Sequence, residues 1–527
     1  MSTFWADELA RRAEERHSAP YVVSDTKTPS GTIHIGALRG VILHDALARV
    51  LRRRGHAVTY LYGFDDFDPF DKVPTYLDPS YHEYLGQPMS VIPPPDEQGR
   101  PQSGPITNTH NYGRHFADDF EAVYRTLGVE STTVYSSDLY ARGEFDEAIR
   151  LILDRADTVK VAYEEAIAHR SDDRAGQAVV ADFPLNVRCQ QCGRSATTEV
   201  TAWDGERVTY RCRRGVVPYV DGCGWEASVA PFGGAAKLPW KVEWAAKWYL
   251  WQSDIEGGGK DHYTKGGSHD VATAVFNHVF APQAKPGYDR VPVDLFYEWF
   301  YIDGRKMSTS KGVGQSASQV AAQIPPELLR LLMVRTRPKT AVNYRETADS
   351  LPDLYDAYDQ VLEAARTDPQ SLEGKLFSLI RLNPDQPLPP AETRFRTLVA
   401  QQEQARLLGK ARDRDDLSSR SAVARQWVDR FGSQPTVVTM TPAQRAFLTH
   451  FADRLSNLQS WEPVTLQTEI FSASQSVSLK AQDAFEAIYG ALLGSTHGPQ
   501  AGSLLASRDR ATVLEKLRTV AKESQSA

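Results

Sequence analysis

Residues 21–62 set an apolar run, a loop, a helix and a second apolar run in an order that few folds accommodate. Tyr21-Val22-Val23-Ser24 reads as a buried strand. A turn-rich loop, Lys27-Thr28-Pro29-Ser30-Gly31, leads to His34-Ile35-Gly36. From Ala37 to Arg54 the apolar residues Leu38, Ile42, Leu43, Leu47, Val50 and Leu51 recur at helical spacing, and Gly55 supplies a stop. Ala57 to Tyr62 is strand-like again. A strand, a helix and a strand at these lengths form a βαβ crossover, which joins parallel strands. Parallel sheets are covered on both faces, so this unit predicts the opening of an α/β, doubly wound parallel sheet.

The chain has 527 residues, which at roughly 100–200 residues per domain allows three or four domains. Residues 68–112, rich in Pro, Tyr and Gly, read as a loop-rich excursion from the sheet, and 118–180 as mainly helical. In 185–230, the alternating runs Glu199–Trp203 and Arg207–Tyr210 suggest a small β ribbon. The sheet is expected to resume around 255–303. Beyond about 325, helical periodicity dominates. Thr441-Pro442-Ala443-Gln444 has the cap, first-turn proline and capping-box glutamine of a helix start, and Ala481 to Leu493 carries an apolar stripe ended by Gly494. The expected division is 1–115 and 236–325 for the two halves of a catalytic domain, 116–235 for an insertion, and 326–527 for a helical C-terminal part.

No stretch approaches the roughly 20 apolar residues of a membrane span, and the charged N-terminus lacks a signal-peptide core. The expected location is the cytoplasm. The net charge of −7 argues against a general nucleic-acid binder but leaves room for a local basic surface. All four cysteines fall between Cys189 and Cys223. Cys189-Gln190-Gln191-Cys192-Gly193 has knuckle spacing. Cys212 and Cys223 are ten residues apart, so Arg213–Gly222 must loop out for both sulfurs to reach one ion. Cys189, Cys192, Cys212 and Cys223 are therefore expected to bind one structural Zn²⁺, with no position left open for chemistry.

Two further segments suit phosphate. Pro29–Ala37 follows a strand and opens a helix, where N–H groups and the helix dipole favour negative charge. Gly36 allows a flat ring to approach the backbone, and His34 can donate to a phosphate oxygen. Lys306-Met307-Ser308-Thr309-Ser310-Lys311-Gly312 offers two compact cations and three hydroxyls.

This pair resembles the HIGH and KMSKS signatures of class I aminoacyl-tRNA synthetases. Thr28–Gly31, Phe64–Pro69, Lys72-Val73-Pro74, Gly259–His262, Gly266–Ser268, Tyr297-Glu298 and the run Gly490–Pro499 resemble the class I lysyl-tRNA synthetases, over nearly the whole chain. The resemblance implies a Rossmann-type catalytic domain with a zinc-ribbon-bearing insertion and an all-α C-terminal anticodon-binding region. It implies activation of L-lysine with ATP and Mg²⁺, then transfer to tRNA(Lys). By motif position, His34, Lys306 and Lys311 are catalytic. His34, Gly36, Gly267, Ser268, Asp270, Lys306, Ser308 and Thr309 face ATP. Gly31, Trp240, His262 and Tyr297 match lysine-site positions. Asp65, Asp66 and Glu243 are added as candidates to meet ammonium groups, an acidic solvated loop being the plainer alternative.

Trp240, Trp244, Trp248 and Trp251 share one helix face, and for the last three a core-facing stripe is the favoured reading. The family's second metal site would fall in 92–115. Asp96, His110 and His115 are present there without the Cys-His pair, so no second metal is expected. Arg406, Arg412, Arg414, Arg420 and Arg425 are interleaved with acids and fit a salt-bridged face as well as an RNA surface. Ala37 stands where the HIGH motif usually has a polar side chain, and Thr309 replaces the second KMSKS lysine. Ala37 is expected to weaken ATP use. Ala37→Asn should improve the ATP KM or kcat in pyrophosphate exchange, and unchanged values would contradict it. Other readings are a class I enzyme for another amino acid, a paralogue loading lysine onto a non-translational acceptor, and a nucleotidyltransferase. If tRNA is the partner, Lys and Arg must be locally concentrated on the face that meets it.

Overall fold

The computed structural model describes residues 4–168, 181–306, 315–409, 420–432 and 438–522. The chain divides into two compact units, 1–346 with 360–388, and 347–359 with 389–527.

The first unit is built on a five-stranded parallel sheet. Its strands are β1 (Tyr21–Lys27), β2 (Val58–Phe64), β3 (Thr132–Tyr135), β7 (Ile255–Glu256) and β8 (Val293–Asp294), and they lie in the order β8-β7-β1-β2-β3. Helix α1 (Ile35–Arg53) is the crossover from β1 to β2, and its residues Leu38 to Leu51 are buried almost throughout. Helix α2 (Tyr112–Thr126) precedes β3. Strand β3 lies inside the stretch read from sequence as helical. Four residues are too few to show a period of two against the helices on either side.

The order reverses direction between β1 and β7, where the loops after both strands leave the carboxyl edge of the sheet. Ligands of doubly wound sheets bind at such a switch point. The excursion 68–112 has its own aromatic core of Phe70, Tyr81, Tyr112 and Phe116, with Leu77, Met89 and Ile92. The ribbon is a three-stranded antiparallel sheet of β4 (Thr198–Trp203), β5 (Val208–Cys212) and β6 (Glu226–Val229). It shares one hydrophobic core with helix α3 (Trp240–Trp251) and helix α4 (Ser268–Val275). A second small sheet joins β9 (Phe300–Ile302), β10 (Arg305–Lys306) and β11 (Val342–Tyr344).

Two buried arginines hold distant segments of this unit. Arg39 on α1 donates to the carbonyls of Glu298, Trp299, Arg337, Pro338 and Thr340 at 2.7–3.3 Å. Arg330 is fully buried, pairs with Asp45 at 2.6 Å, and donates to the carbonyls of Leu127 and Leu379. Asp45 also pairs with Arg49 at 2.8 Å, so losing Arg330 leaves that carboxylate half-compensated and takes the buried donor from the Leu127 and Leu379 carbonyls. Arg330→Met is therefore expected to cost about 3–5 kcal/mol in a urea titration. A change below 1 kcal/mol would contradict that reading.

The second unit is helical. Helix α5 (Pro442–Ser456) starts with the capping box at Thr441 and Gln444, and α6 (Ala481–Leu493) ends at Gly494 in the left-handed region, φ 63°. Phe447, Phe451, Leu466, Ile470, Ile488 and Leu504 lie in its core. Among the described residues, no helix is long and apolar enough to cross a membrane.

Candidate active site and metal centre

His34 is the N-cap of α1. Its Nδ1 accepts from the Gly36 N–H at 3.0 Å. A neutral ring that accepts at Nδ1 carries its proton on Nε2, so Nε2 is the donor side of the ring. A Cβ on Gly36 would lie 2.8 Å from the imidazole, so glycine here lets the ring fold back over the helix end. The Ile35 N–H donates to the Gln315 carbonyl and the Ala37 N–H to the His34 carbonyl. The first three helical N–H groups are thus already bonded within the chain. They are not the bare N–H groups that a helix start offers a phosphate. What a helix start still offers an anion is its dipole.

The loop before His34 is clamped from the excursion. Tyr76 Oη accepts from the Thr32 N–H at 2.6 Å, and Tyr112 Oη donates to the Ser30 carbonyl at 3.0 Å. Gly31 lies between these two anchors. Neither tyrosine was singled out from sequence, because the excursion carries no periodic signal.

Lys306 ends β10, with its backbone opposite Tyr301. The turn before it is Asp303-Gly304, both at positive φ, 49° and 73°. That pair is a two-residue hairpin signal that sequence reading could have used to place Lys306. Ser308, Thr309 and Lys311 lie outside the described residues, as does the Lys306 side chain. The chain returns at Gln315, and Ala317 donates to the Ile33 carbonyl, so the segment ends against the His34 turn.

On the β7 side, Trp240 is 40% exposed at the start of α3, while Trp244 and Trp248 are buried. Trp240 stacks on Trp244 at 5.6 Å, and His262 meets both edge-on at 5.2 and 5.8 Å. Trp244 and Trp248 both donate their indole N–H to Glu256 Oε2, Trp244 at 2.7 Å. Burial, then Lys27, pulls the His262 imidazole below its usual range. Tyr297 pairs with the 258–260 backbone, and its hydroxyl packs on the bare face of Gly40 in α1. Gly267 caps α4, where a Cβ would come within 2.4 Å of the Thr264 carbonyl. Asp270 accepts from the Gly266 N–H at 2.7 Å, and Ser268 is the first residue of that helix.

The three added acids are each held by the chain itself. Asp66 is buried and accepts from the Ser137 N–H and from the hydroxyls of Ser136 and Ser137. Asp65 pairs with Lys247, and Glu243 with Lys237 and Lys247. Burial lifts Asp65 to about 6 against the pull of Lys247. Burial would lower Lys237, but Asp68 and Glu243 hold it above its usual range. In place of a solvated loop there is a buried charge lattice binding α3 to the loop after β2. Neither Lys237 nor Lys247 was marked from sequence.

The four thiols converge. Cys189 and Cys223 are 3.7 Å apart, Cys192 and Cys212 are 3.7 Å apart, and all four sulfurs lie within 4.8 Å. A tetrahedron with metal–sulfur bonds of about 2.3 Å has edges of about 3.8 Å, so the set could hold a metal. Gly222 donates to the Arg213 carbonyl at 3.1 Å, and a Cβ there would overlap it, so the ten-residue insertion closes at its base. The Cys223 N–H and the Thr197 hydroxyl lie 3.3 and 3.2 Å from Cys212 Sγ, a surrounding shell that suits a thiolate.

In the helical unit, Arg406 pairs with Glu403, and Arg420 with Asp359 and Glu392. Arg412 and Arg414 lie outside the described residues.

Residues 428–521 match the anticodon binding domain family, and residues 3–382 match the family described as tRNA synthetases class I (K). The lysine–tRNA ligase of Methanosarcina barkeri (strain Fusaro / DSM 804) is 30% identical, covering 97% of this chain and 96% of that protein. That of Methanocaldococcus jannaschii is 29% identical, covering 97% and 99%. Among solved structures, a glutamate-tRNA synthetase from Elizabethkingia anophelis aligns over 95% of this chain and all of that one, with a TM-score of 0.44 at 10% identity. The chain belongs to the family of class I tRNA synthetases (K).

Proposed function

We propose that the chain is a lysine–tRNA ligase. It joins L-lysine to ATP as lysyl-adenylate and passes the lysyl group to the 2′-hydroxyl at the 3′ end of tRNA(Lys). The supporting geometry is the convergence of the Trp240–Trp244–His262 aromatic group and Tyr297 at the sheet edge that also carries His34. Aromatic walls suit a four-carbon stem ending in a cation. In the first step a lysine carboxylate oxygen bonds to the α-phosphorus and the bond to pyrophosphate breaks. The carboxylate is already ionised, so positioning and charge stabilisation carry the step. His34 Nε2 donates to a phosphate oxygen, and Lys306 and Lys311 supply positive charge, with Ser308 and Thr309 beside them. Gly36 lies under the adenine, with Gly267, Ser268 and Asp270 on the ribose side. Mg²⁺ accompanies ATP.

The four cysteines fit Zn²⁺, which when bound fixes the ribbon. The catalytic task falls to 1–115 and 236–325, the ribbon-bearing insertion to 116–235, and RNA reading to 326–527. The setting is the cytoplasm. Asp65, Asp66 and Glu243 are retained as members of the wall around the lysine site, acting through the lysines and serines they hold. ATP–pyrophosphate exchange across the amino acids, followed by charging of tRNA(Lys), tests the reading. Exchange should occur with lysine, and charging should follow. Exchange without charging would favour a paralogue loading another acceptor, and exchange with a different amino acid would overturn the reading.

A further inference from the structure

Asp25 sits in phase with Tyr21 and Val23 on the inward face of β1, and is 5% exposed. A strand position in that phase is normally apolar, so a carboxylate there needs a reason. Its own backbone neighbour supplies one bond, from the Thr26 N–H to Oδ1 at 2.9 Å. The other oxygen, Oδ2, points to α1. There it lies 3.4 Å from His44 Nδ1 and 3.2 Å from the point where a Cβ on Gly40 would stand. The Tyr297 hydroxyl comes within 2.4 Å of that same point. The absence of a side chain at Gly40 is therefore what lets the Asp25 carboxylate and the Tyr297 hydroxyl converge.

No cation neutralises this carboxylate among the described residues. His44 is neutral, because burial pulls its imidazole down to about 4 and its Nδ1–H is given to the Gly40 carbonyl. Lys27 acts on Asp25 through space without an ion pair among the described residues. Lys237 and Lys247 are committed to Asp68, Glu243 and Asp65. Glu256, the next carboxylate, is occupied by two indoles. Burial lifts the Asp25 carboxyl to about 8, as expected for an acid whose counter-ion is missing. The acids picked out by sequence thus have their partners, whereas Asp25, which no Lys or Arg pairs among the described residues, is one the sequence did not mark.

We infer that Asp25 is the carboxylate that receives the side-chain ammonium of lysine, with the Tyr297 hydroxyl as its neighbour and Gly40 as the space that admits both. This rests on the lysine–tRNA ligase reading. The ammonium would supply the positive charge the site lacks, and a neutral side chain of the same length would leave a buried acid unpaired.

The experiment is lysine-dependent ATP–pyrophosphate exchange, with norleucine as a competitor of the same length lacking the ammonium. In Asp25→Asn, the lysine KM should rise at least 100-fold, with the ATP KM and the norleucine inhibition constant changed less than threefold. Asp25→Glu keeps the charge but takes up one methylene of space. It should shift the ornithine-to-lysine ratio of exchange rates at least tenfold towards ornithine, and that ratio can be read even if Asp25→Asn fails to fold. An unchanged lysine KM in Asp25→Asn, an equal loss of lysine and norleucine, or an unchanged ornithine-to-lysine ratio in Asp25→Glu overturns the assignment alone. Failure of the unsubstituted protein to exchange with lysine overturns the ligase reading as well.

Discussion

His34→Asn should slow lysine-dependent pyrophosphate exchange by about 10²–10³-fold, the usual cost of losing one preorganised donor to developing charge. Asparagine is among the best helix N-caps, so the start of α1 should hold. What it lacks is reach, because a shorter amide cannot present a donor where Nε2 stands. His34→Ala loses both functions. Relative to His34→Asn it should show a similar rate and a further loss of stability of about 1 kcal/mol. The pair of variants separates the cap from the donor, since the Nδ1 bond to Gly36 and the Nε2 proton belong to one ring. Exchange within threefold of the unsubstituted protein in His34→Asn would remove His34 from the phosphate site.

Cys192→Ser should take the metal content from one zinc per chain to under a tenth, measured by elemental mass spectrometry, and lower tRNA charging at least tenfold. Serine is close in size, so packing is little disturbed and the effect reports on the ion. The consequence should not stay local. Cys189 and Cys212 belong to the same buried core as Tyr210, Val242, Trp244 and Trp248. Loosening the ribbon therefore removes support from beneath the aromatic group that we propose faces lysine, and on that reading the lysine KM should rise together with the loss of charging. Full metal content in Cys192→Ser would show that the four thiols are not one site.

Legibility in the sequence followed the length of each periodic signal. β1, α1 and β2 were readable because seven residues of strand and nineteen of helix repeat their pattern several times. β7 and β8 are two residues each. Each is one apolar residue followed by an acid, Ile255-Glu256 and Val293-Asp294, and their partner strands follow from the crossover rule rather than from their own composition. Cys189 to Cys223 were readable as a set because no other cysteine exists in the chain. Trp240, His262 and Tyr297 came from motif resemblance, and the structure brings the first two into ring contact. The charges were the least legible part. Asp65 and Glu243 look like loop and helix-surface acids until Lys237 and Lys247 are seen beside them, and a pairing 182 residues apart leaves no local trace. Asp25 could have been flagged by its phase on β1, a hydrophilic residue where alternation expects an apolar one.

The strand order has a consequence for how this protein is made. β1 is flanked on one side by β2, some 30 residues away, and on the other by β7, some 230 residues away. At ribosomal rates of roughly 5–20 residues per second, the β1 edge stands open for about ten to fifty seconds before its second neighbour emerges. Arg39 waits longer still, since its last carbonyl partner is Thr340. An unpaired strand edge is a template for wrong pairing. The nascent chain therefore passes through a long interval in which half a sheet must be shielded by chaperones or by the tunnel exit, and the pace of translation sets how long that interval lasts.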